Sequence, residues 1–554
     1  MNSIKNIKEY KILQSVSLVY IAIPTIIFII GWIKPVYSIP LTALIVVGLI
    51  NSIRNGMYCE FFEKESKPLQ KLAHDLKEPI SKIKKSKDSK SYVKSLPGNK
   101  RQTENNKNSI FLFIDKPVVF YSLTLFLVII SVLYSGVGGF SIQDGDYIKH
   151  NGFFLDLTNY SWPLAYEKTG LDDAPRILNT YIAYYLPSAL IGKIFGFSFG
   201  YFFSFVWVCL GLFITLLWIS RFMSKRSVIF LILFMFFGEL AYFGWSIYFP
   251  NASIYGLNYN YANWLAYYST QSPILKGVFW ILGSNHTFLT NGPHHIFPSW
   301  ICIMMIFHDS VFRKSLDRTL FIFAFVPYVS AFMAVGLSPF ILLATIQNKF
   351  KKIFTIQNIL IAPLLLILAA LFLISNNALF EKGWIWNFIN MKDAWFYIFQ
   401  FFLLSFGLYF ILIPKRASSF PDRYMLPWLY TSVACIVLFS FYRIGFYMDF
   451  PIKAYNPSWI IFQICIIASI SFAKSFLDKF RVSVLILLLL VASVGAFSNF
   501  KYAGKNKLFS HAILEKNIYH INKIGPLDKS LLLFSDGKTF FWKSLAKKPI
   551  FTKN

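Results

Sequence analysis

Long apolar runs separated by short polar segments dominate the pattern along this chain. Such runs extend from Ile12 to Ile33, from Ser38 to Ile53 and from Pro117 to Gly136, and others follow as far as Phe497. Most are close to the roughly 20 residues that a helix needs to cross a bilayer, and they are continuous, whereas barrel strands alternate over about ten residues. The pattern predicts an all-α polytopic membrane protein with about 13 transmembrane helices and with interfacial helices in its external loops.

Polar segments divide the chain into four parts. Residues 1–53 form a predicted N-terminal transmembrane hairpin, residues 54–116 a basic loop, residues 117–498 the main transmembrane module and residues 499–554 a small polar tail. The loop holds 15 Lys or Arg residues against 8 Asp or Glu residues, which predicts a cytoplasmic location because loops rich in Lys and Arg stay inside. Alternation of the spans then puts the C-terminal tail outside, although that tail is basic too.

Two apolar stretches do not fit a simple crossing. The first is Tyr181 to Phe197. The predicted sides of the flanking loops allow only one crossing between Asp146 and Arg221, and the next apolar run supplies it, so we expect Tyr181 to Phe197 to form a helix that lies at the outer interface or re-enters the membrane. We expect Thr319 to Gln347 to form a hairpin broken at "GLSPF". Broken helices are tolerated in membranes where protein or a cavity covers the backbone.

Composition strengthens the membrane assignment and excludes a soluble domain. Hydrophobic residues make up 56% of the 554 positions and charged residues only 14%, so a soluble fold would expose too much apolar surface. The formal charge of +28 lies largely in short loops, so we interpret it as an orientation signal and expect no nucleic-acid partner. Four of the five cysteines lie inside apolar runs, which predicts packing residues rather than disulfides or a zinc site.

Polar residues at the edge of a membrane are costly and are often functional. The first such group, "QDGDYIKHN", follows the run that begins at Pro117. Asp144 and Asp146 could hold a divalent metal against a phosphate, or one of them could act as a general base on an alcohol. If a helix begins after Gly145, then Asp146, Lys149 and His150 share one face of it. The alternative is a solvated loop in which Asp146 caps the helix.

The second group, "GSNHTFLTNGPHHIFPSW", lies on the same predicted side of the membrane. It holds His286, His294 and His295, which are three of the eight histidines. Imidazoles in such a group could bind a phosphate or a hydroxyl group, could ligate a metal, or could simply stabilise an interfacial turn.

The third group, "YRIGFYMDFPIKAYNPSW", also falls on that side. Asp449 and Lys453 have the spacing of an ion pair on a helix. Either this pair stabilises the end of a helix, or Lys453 or Arg443 is the counter-charge of a lipid phosphate.

These motifs resemble the GT-C superfamily of integral-membrane glycosyltransferases, which use polyprenyl-phosphate-linked sugars as donors. The resemblance rests on "QDGDYIKHN", on the aromatic and proline-containing stretch "YYLPSALIGKIFG", and on "GPHHIFPSW" and "MDFPIKAYNPSW", and it covers the chain from about Pro117 onward. The chain is also similar to uncharacterised bacterial membrane proteins of GT-C type. It differs from them in having Gly292-Pro293-His294 in place of a P-Q-H block, and Lys453 in place of an arginine.

The resemblance implies transfer of a sugar from a polyprenyl-phosphate carrier to a glycan, lipid or protein acceptor of the cell envelope. The reaction would take place among membrane lipids, at the outer face of the bacterial inner (plasma) membrane. Asp146 would be the catalytic base and Asp144 its partner, or both would bind Mg²⁺ or Mn²⁺ if the enzyme depends on a metal. The substrate- and phosphate-binding residues would be Lys149, His150, His294, His295, Lys453, Arg443 and Asp449.

Two other functions remain open at the level of the sequence. A polymerase or ligase of O-antigen or capsule also joins sugars on a lipid carrier, but such proteins show a large external loop with arginines late in the chain, and arginine is scarce here. A non-catalytic transporter or flippase of the lipid carrier would use broken helices such as "GLSPF". Its charges should then lie near the middle of the membrane, whereas these groups gather at one edge.

Overall fold

The computed structural model describes most of the apolar runs and the polar segments that follow them. Its described residues are 2–55, 117–141, 143, 146–167, 175–223, 227–238, 284–376, 382–388, 406–414, 424–444, 449–473, 475–505, 518, 520–521 and 534–552.

The described residues are mostly helical, in agreement with the prediction of helices rather than barrel strands. The helices are α1 (Asn2–Trp32), α2 (Pro35–Asn55), α3 (Pro117–Leu133), α4 (Asp146–Asn159), α5 (Leu186–Phe195), α6 (Phe197–Arg221), α7 (Val228–Phe236), α8 (Asn285–Asn291), α9 (Pro293–His308), α10 (Thr319–Phe323), α11 (Ala331–Gln347), α12 (Ala362–Leu373), α13 (Leu408–Leu412), α14 (Met425–Ser440), α15 (Asp449–Ala454), α16 (Asn456–Phe472) and α17 (Phe476–Lys505). The strands are β1 (Leu164–Tyr166), β2 (Arg176–Leu178), β3 (Lys382–Trp384), β4 (Tyr442–Ile444), β5 (Phe534–Ser535) and β6 (Ile550–Thr552).

Four helical segments are long and apolar enough to cross a membrane. They are Glu9–Trp32, Pro35–Arg54, Phe197–Arg221 and Pro293–Arg313, and six shorter apolar helices accompany them in the described part of the chain. Helix α5 has ten residues and is therefore about 15 Å long, half the thickness of the hydrocarbon core. This length agrees with the expectation that the stretch after Tyr181 does not cross the membrane by itself.

The expectation of an all-α protein is incomplete, because two small sheets are present. One sheet has the strand order β5-β2-β1-β6, in which β1 pairs in parallel with β6, so that Leu164 lies opposite Ile550. The other pairs β3 with β4 and sets Gly383 opposite Arg443. The first sheet joins the C-terminal segment to the segment that follows α4.

The C-terminal segment, described at residues 518, 520–521 and 534–552, also contacts two helix ends, and we name this end of the bundle the site end. In the turn between α1 and α2, the backbone N–H of Lys34 donates to the carbonyl of Leu545 at 3.0 Å. The hydroxyls of Ser375, which follows α12, and Thr539 lie 2.7 Å apart. The site end therefore gathers the C-terminal segment and the segment after "QDGDYIKHN".

A buried ion-pair network holds the opposite end, which we name the distal end. Arg318 binds the carboxylate of Asp309 through Nε at 2.6 Å and Nη2 at 2.9 Å. Arg313 lies 2.9 Å from Asp309 and 3.1 Å from Asp317. The "RKSLDR" segment is thus packed and paired here, and removal of one partner would leave a costly unpaired buried charge.

Two helices near the predicted polar groups have clear bounds. Helix α9 begins at Pro293, so His294 and His295 lie in its first turn; proline suits the first helical position because it lacks only an N–H that would be unpaired there. The hairpin between Thr319 and Gln347 is not broken at "GLSPF", since α11 runs through Pro339. The interruption lies at 324–330, before α11 begins.

Candidate functional site

The first predicted group of polar residues begins a helix, as expected. Helix α4 starts at Asp146 and runs to Asn159, which confirms that Asp146, Lys149 and His150 share one helical face. The backbone of Asp146 is therefore placed at the helix start, but its side chain and the whole of Asp144 lie outside the description. The catalytic and metal-binding roles expected of these two residues stay predictions.

A ring of hydrogen bonds fixes the chain just before this aspartate pair. The Nε2 of Gln143 donates to the Tyr201 hydroxyl at 2.7 Å and to the Gly136 carbonyl at 2.8 Å. The Nδ2 of Asn151 donates to Oε1 of Gln143 at 2.9 Å, and the Tyr201 hydroxyl donates to Oδ1 of Asn151 at 2.9 Å. Gln143 thus ties the loop of Asp144 to α4, to α6 and to the end of α3.

Histidines from the first two predicted groups meet at the site end with their ring planes tilted by 47° and 44°, and we name this group the histidine stack. The ring centroids of His150 and His294 lie 4.3 Å apart, and those of His294 and His295 lie 3.9 Å apart. The ring of Tyr181, just before α5, lies 4.8 Å from that of His295. Both α9 histidines are buried. His286 is not part of this stack in the contacts described, because it packs against Phe236 with centroids 6.0 Å apart.

His150 is held by a partner that the sequence alone did not indicate. The Tyr185 hydroxyl lies 2.8 Å from Nδ1 of His150. Burial, followed by the nearby Lys149, His295 and Lys453, lowers the pKa of His150 well below its usual value. At neutral pH this imidazole is therefore uncharged, and the positive charge near it belongs to the lysines.

The third predicted group adds one of these lysines. Lys453 lies on α15, 3.1 Å from Oδ1 of Asp449, and its Nζ lies 5.7 Å from the ring centroid of Tyr181. The predicted helical ion pair is thus confirmed, and it lies beside the histidine stack. A Cβ on Gly336 of α11 would overlap the carbonyl oxygen of Ala454, so α15 sits where it does because position 336 has no side chain.

Arg443, from the same predicted group, lies on β4 and is buried. Its guanidinium carbon lies 4.5 Å from the ring centroid of Phe388. Its expected role in phosphate binding stays a prediction.

A cleft opens beside the histidine stack. Its polar lining residues are His150, Asn151, Ser188, Ser204, Asn291 and His294. The aromatic and apolar lining residues are Val137, Gly138, Tyr147, Phe154, Tyr184, Tyr185, Tyr201, Pro293, Trp207 and Val208. The lining is therefore mostly apolar and aromatic with a few polar groups, as is common for ligand sites.

A buried carboxylate on α4 anchors the C-terminal segment, and the sequence did not single it out. Asp156 accepts hydrogen bonds from the Tyr166 hydroxyl at 2.8 Å and from the backbone N–H of Ile521 at 3.2 Å. Its Oδ1 also lies 2.6 Å from Nδ1 of His520. Burial and the adjacent Asp156 raise the pKa of Tyr166 well above its usual value, so this phenol stays protonated and keeps donating.

Within the described residues, no group of three or more His, Cys, Asp or Glu side chains is arranged to hold a metal ion. The expectation of Mg²⁺ or Mn²⁺ depends on Asp144 and Asp146, whose side chains are not among those described. What the described groups can do is bind an anion, because Lys149 and Lys453 provide charge and the imidazoles provide hydrogen bonds.

No protein-family model, no curated protein and no solved structure matches this chain.

Proposed function

We propose that this protein is a membrane glycosyltransferase of GT-C type that takes its sugar from a polyprenyl-phosphate carrier. One observation carries the proposal: groups that lie far apart in the sequence meet at the site end. The ring centroids of His150 and His294 lie 4.3 Å apart, and Lys453 lies over Tyr181, whose ring contacts that of His295. A leaving phosphate needs cations and directed hydrogen-bond donors, and these residues supply both.

The lining of the cleft supports an amphipathic substrate. His150 and His294 contribute polar groups to it, while Trp207 and Val208 of α6 contribute apolar ones. Because α6 is one of the four described helices able to cross a membrane, an apolar chain could leave the cleft along it into the bilayer. A lipid with a phosphorylated sugar head fits this mixed lining better than a free sugar does.

Chemically, the reaction joins an acceptor hydroxyl to the anomeric carbon while the bond from that carbon to the phosphate oxygen breaks. The hydroxyl loses its proton to a carboxylate, for which Asp146 at the start of α4 is the proposed base and Asp144 its partner or a metal ligand. The bonding electrons leave with the phosphate, next to Lys149 and Lys453. The acceptor would be a glycan, lipid or protein of the envelope.

We further propose that the site end faces the exterior of a bacterial plasma membrane and that the chain crosses it about 13 times. Lys538 is suited to test the side, because its side chain is 80% exposed in the C-terminal segment. In a cysteine-free background, Lys538→Cys should react with an impermeant thiol reagent added to intact cells. Reaction only after the cells are opened would overturn the orientation.

The activity itself is tested in cells that lack the protein and in purified protein in nanodiscs. Null cells should accumulate a polyprenyl-phosphate sugar and lose one envelope glycan, and the wild-type chain should restore it, whereas Asp146→Asn should not. Asp536→Asn makes the same chemical change at the site end, near Lys538, and should restore the glycan fully. Normal glycan in the null cells would overturn the proposal. Full rescue by both Asp146→Asn and Asp144→Asn would overturn the role of the carboxylates.

A further inference from the structure

We propose that His150 binds the phosphoryl group as a neutral imidazole, donating a hydrogen bond from Nε2, and that the Tyr185 hydroxyl fixes the tautomer in which Nε2 carries the proton. The inference rests on the proposed function for the position of the phosphoryl group. It makes His150 a directed donor, and it leaves the positive charge of the site to Lys149 and Lys453.

The first step is the occupancy of the two ring nitrogens. Nδ1 of His150 lies 2.8 Å from the Tyr185 hydroxyl, and the ring is partly exposed and lines the cleft. Nε2 is therefore the nitrogen left for a ligand in the cleft. When the tyrosine O–H donates to Nδ1, the single proton of a neutral imidazole must lie on Nε2.

The second step is the charge around the ring. Lys149 lies on the same helix, His294 and His295 face it from α9, and Lys453 approaches from α15 with Asp449 as its ion-pair partner. Burial and these neighbours lower the pKa of His150, because a third positive charge here would be repelled and poorly solvated. An imidazolium is thus disfavoured, whereas a neutral N–H donor carries no such cost.

The third step is the choice of tautomer. A phosphoryl oxygen is an acceptor, so an unprotonated Nε2 facing it would oppose binding, while an Nε2–H would support it. The same use of a neutral histidine as a hydrogen-bond donor, with its pKa lowered by its surroundings, is known for a triosephosphate isomerase. Tyr185 accomplishes here what a backbone group often does at such sites, since it occupies Nδ1 and leaves Nε2 as the donor.

Substitutions that copy one nitrogen at a time test the proposal. In His150→Gln the amide nitrogen reaches the position of Nε2, and in His150→Asn it reaches only that of Nδ1. The probe is farnesyl phosphate, and its dissociation constant is measured by titration calorimetry with protein in nanodiscs between pH 6 and 8. We expect His150→Gln to bind within about threefold of the wild type and His150→Asn to bind about ten- to hundredfold more weakly, the usual effect of losing a hydrogen bond to a charged group.

The pH dependence and Tyr185→Phe complete the test. The dissociation constants of the wild type and of His150→Gln should change in parallel as the pH falls from 8 to 6, because only the phosphate titrates. Tyr185→Phe should weaken binding about two- to fivefold, because it releases the tautomer and keeps the ring.

The proposal would be overturned if His150→Gln bound farnesyl phosphate as weakly as His150→Asn, or if His150→Asn bound it as tightly as the wild type. Binding that tightens below pH 6.5 in the wild type alone, or no binding to the wild type at all, would overturn it too. Normal binding without any sugar transfer would instead count against the proposed function and leave this inference standing. The thermal unfolding midpoint of each variant shows whether it is folded, and the Asn variant keeps a polar side chain next to Tyr185.

Discussion

Oδ1 of Asp156 and Nδ1 of His520 lie 2.6 Å apart although the two residues are separated by 364 positions. The carboxylate is fully buried and also accepts hydrogen bonds from Tyr166 and from the backbone of Ile521. Asp156 lies on the same helix as His150, six residues after it. One helix therefore carries a proposed phosphate ligand near its start and the attachment of the C-terminal segment near its end.

We expect Asp156→Asn to loosen the C-terminal segment. The substitution keeps the size of the side chain but replaces an acceptor oxygen with a donor, so one of its three donors loses its partner at a cost of about 1–3 kcal/mol. Hydrogen exchange at Ile521 and in β5 and β6 should accelerate, and limited proteolysis should release the tail. Asp536→Asn is the matched control, since Asp536 pairs with the exposed Lys538, and it should leave exchange unchanged. Unaltered protection in Asp156→Asn would contradict the anchoring role.

Gly336→Ala should displace α15 and weaken anion binding. The new Cβ would overlap the Ala454 carbonyl oxygen and would lie 2.8 Å from its carbonyl carbon, so α11 and α15 must move apart, at about 1–3 kcal/mol. The unfolding midpoint should fall, and farnesyl phosphate should bind more weakly because Lys453 moves with α15. Gly292→Ala is the control for folding, since its Cβ would have no neighbour nearer than 3.6 Å. Equal midpoints for the two variants would disprove the close contact.

Acid should destabilise the protein partly through His286. Burial lowers the pKa of His286 to about 4, so between pH 6.5 and 4 the unfolded chain binds a proton there that the folded chain does not. Stability therefore falls as the pH falls through this range, by up to about 3 kcal/mol for this group. The unfolding midpoint in nanodiscs should decrease from pH 7.5 to 5, and less steeply in His286→Gln. A steeper decrease in the variant would reverse the sign assigned here. His150 contributes in the same direction.

Part of the local geometry at the site end could be predicted from the sequence, because costly polar residues at the ends of apolar runs are informative. The helical pair of Asp449 and Lys453 followed from its spacing, and the shared face of Asp146, Lys149 and His150 was expected on the condition that a helix begins after Gly145. Alternation of the spans put His150, His294 and His295 on the same predicted side of the membrane. Their contact depends on how the helices pack, which the sequence does not reveal. Arg443 lies over the ring of Phe388, a contact that its nearness in sequence to Lys453 did not indicate.

The features that the sequence did not reveal depend on contacts between distant or very short elements. Strands of two or three residues, such as β5 and β1, are too short to show an alternating pattern. Asp156 looked like an ordinary helical carboxylate because its partners His520 and Ile521 lie in the tail. Tyr185 belongs to an aromatic stretch whose obvious role is at a membrane interface, and its hydrogen bond to His150 leaves no sequence signature.

The pairing of β1 with β6 has a consequence for how the protein is made. Chains are synthesised from the N-terminus, at about 5–20 residues per second, so Leu164 leaves the ribosome well before its partner Ile550 exists. During that interval the edge of β1 lacks β6, and the carboxylate of Asp156 has Tyr166 but not yet His520 and Ile521. Completion of the site end is therefore a late event in the biosynthesis of this chain.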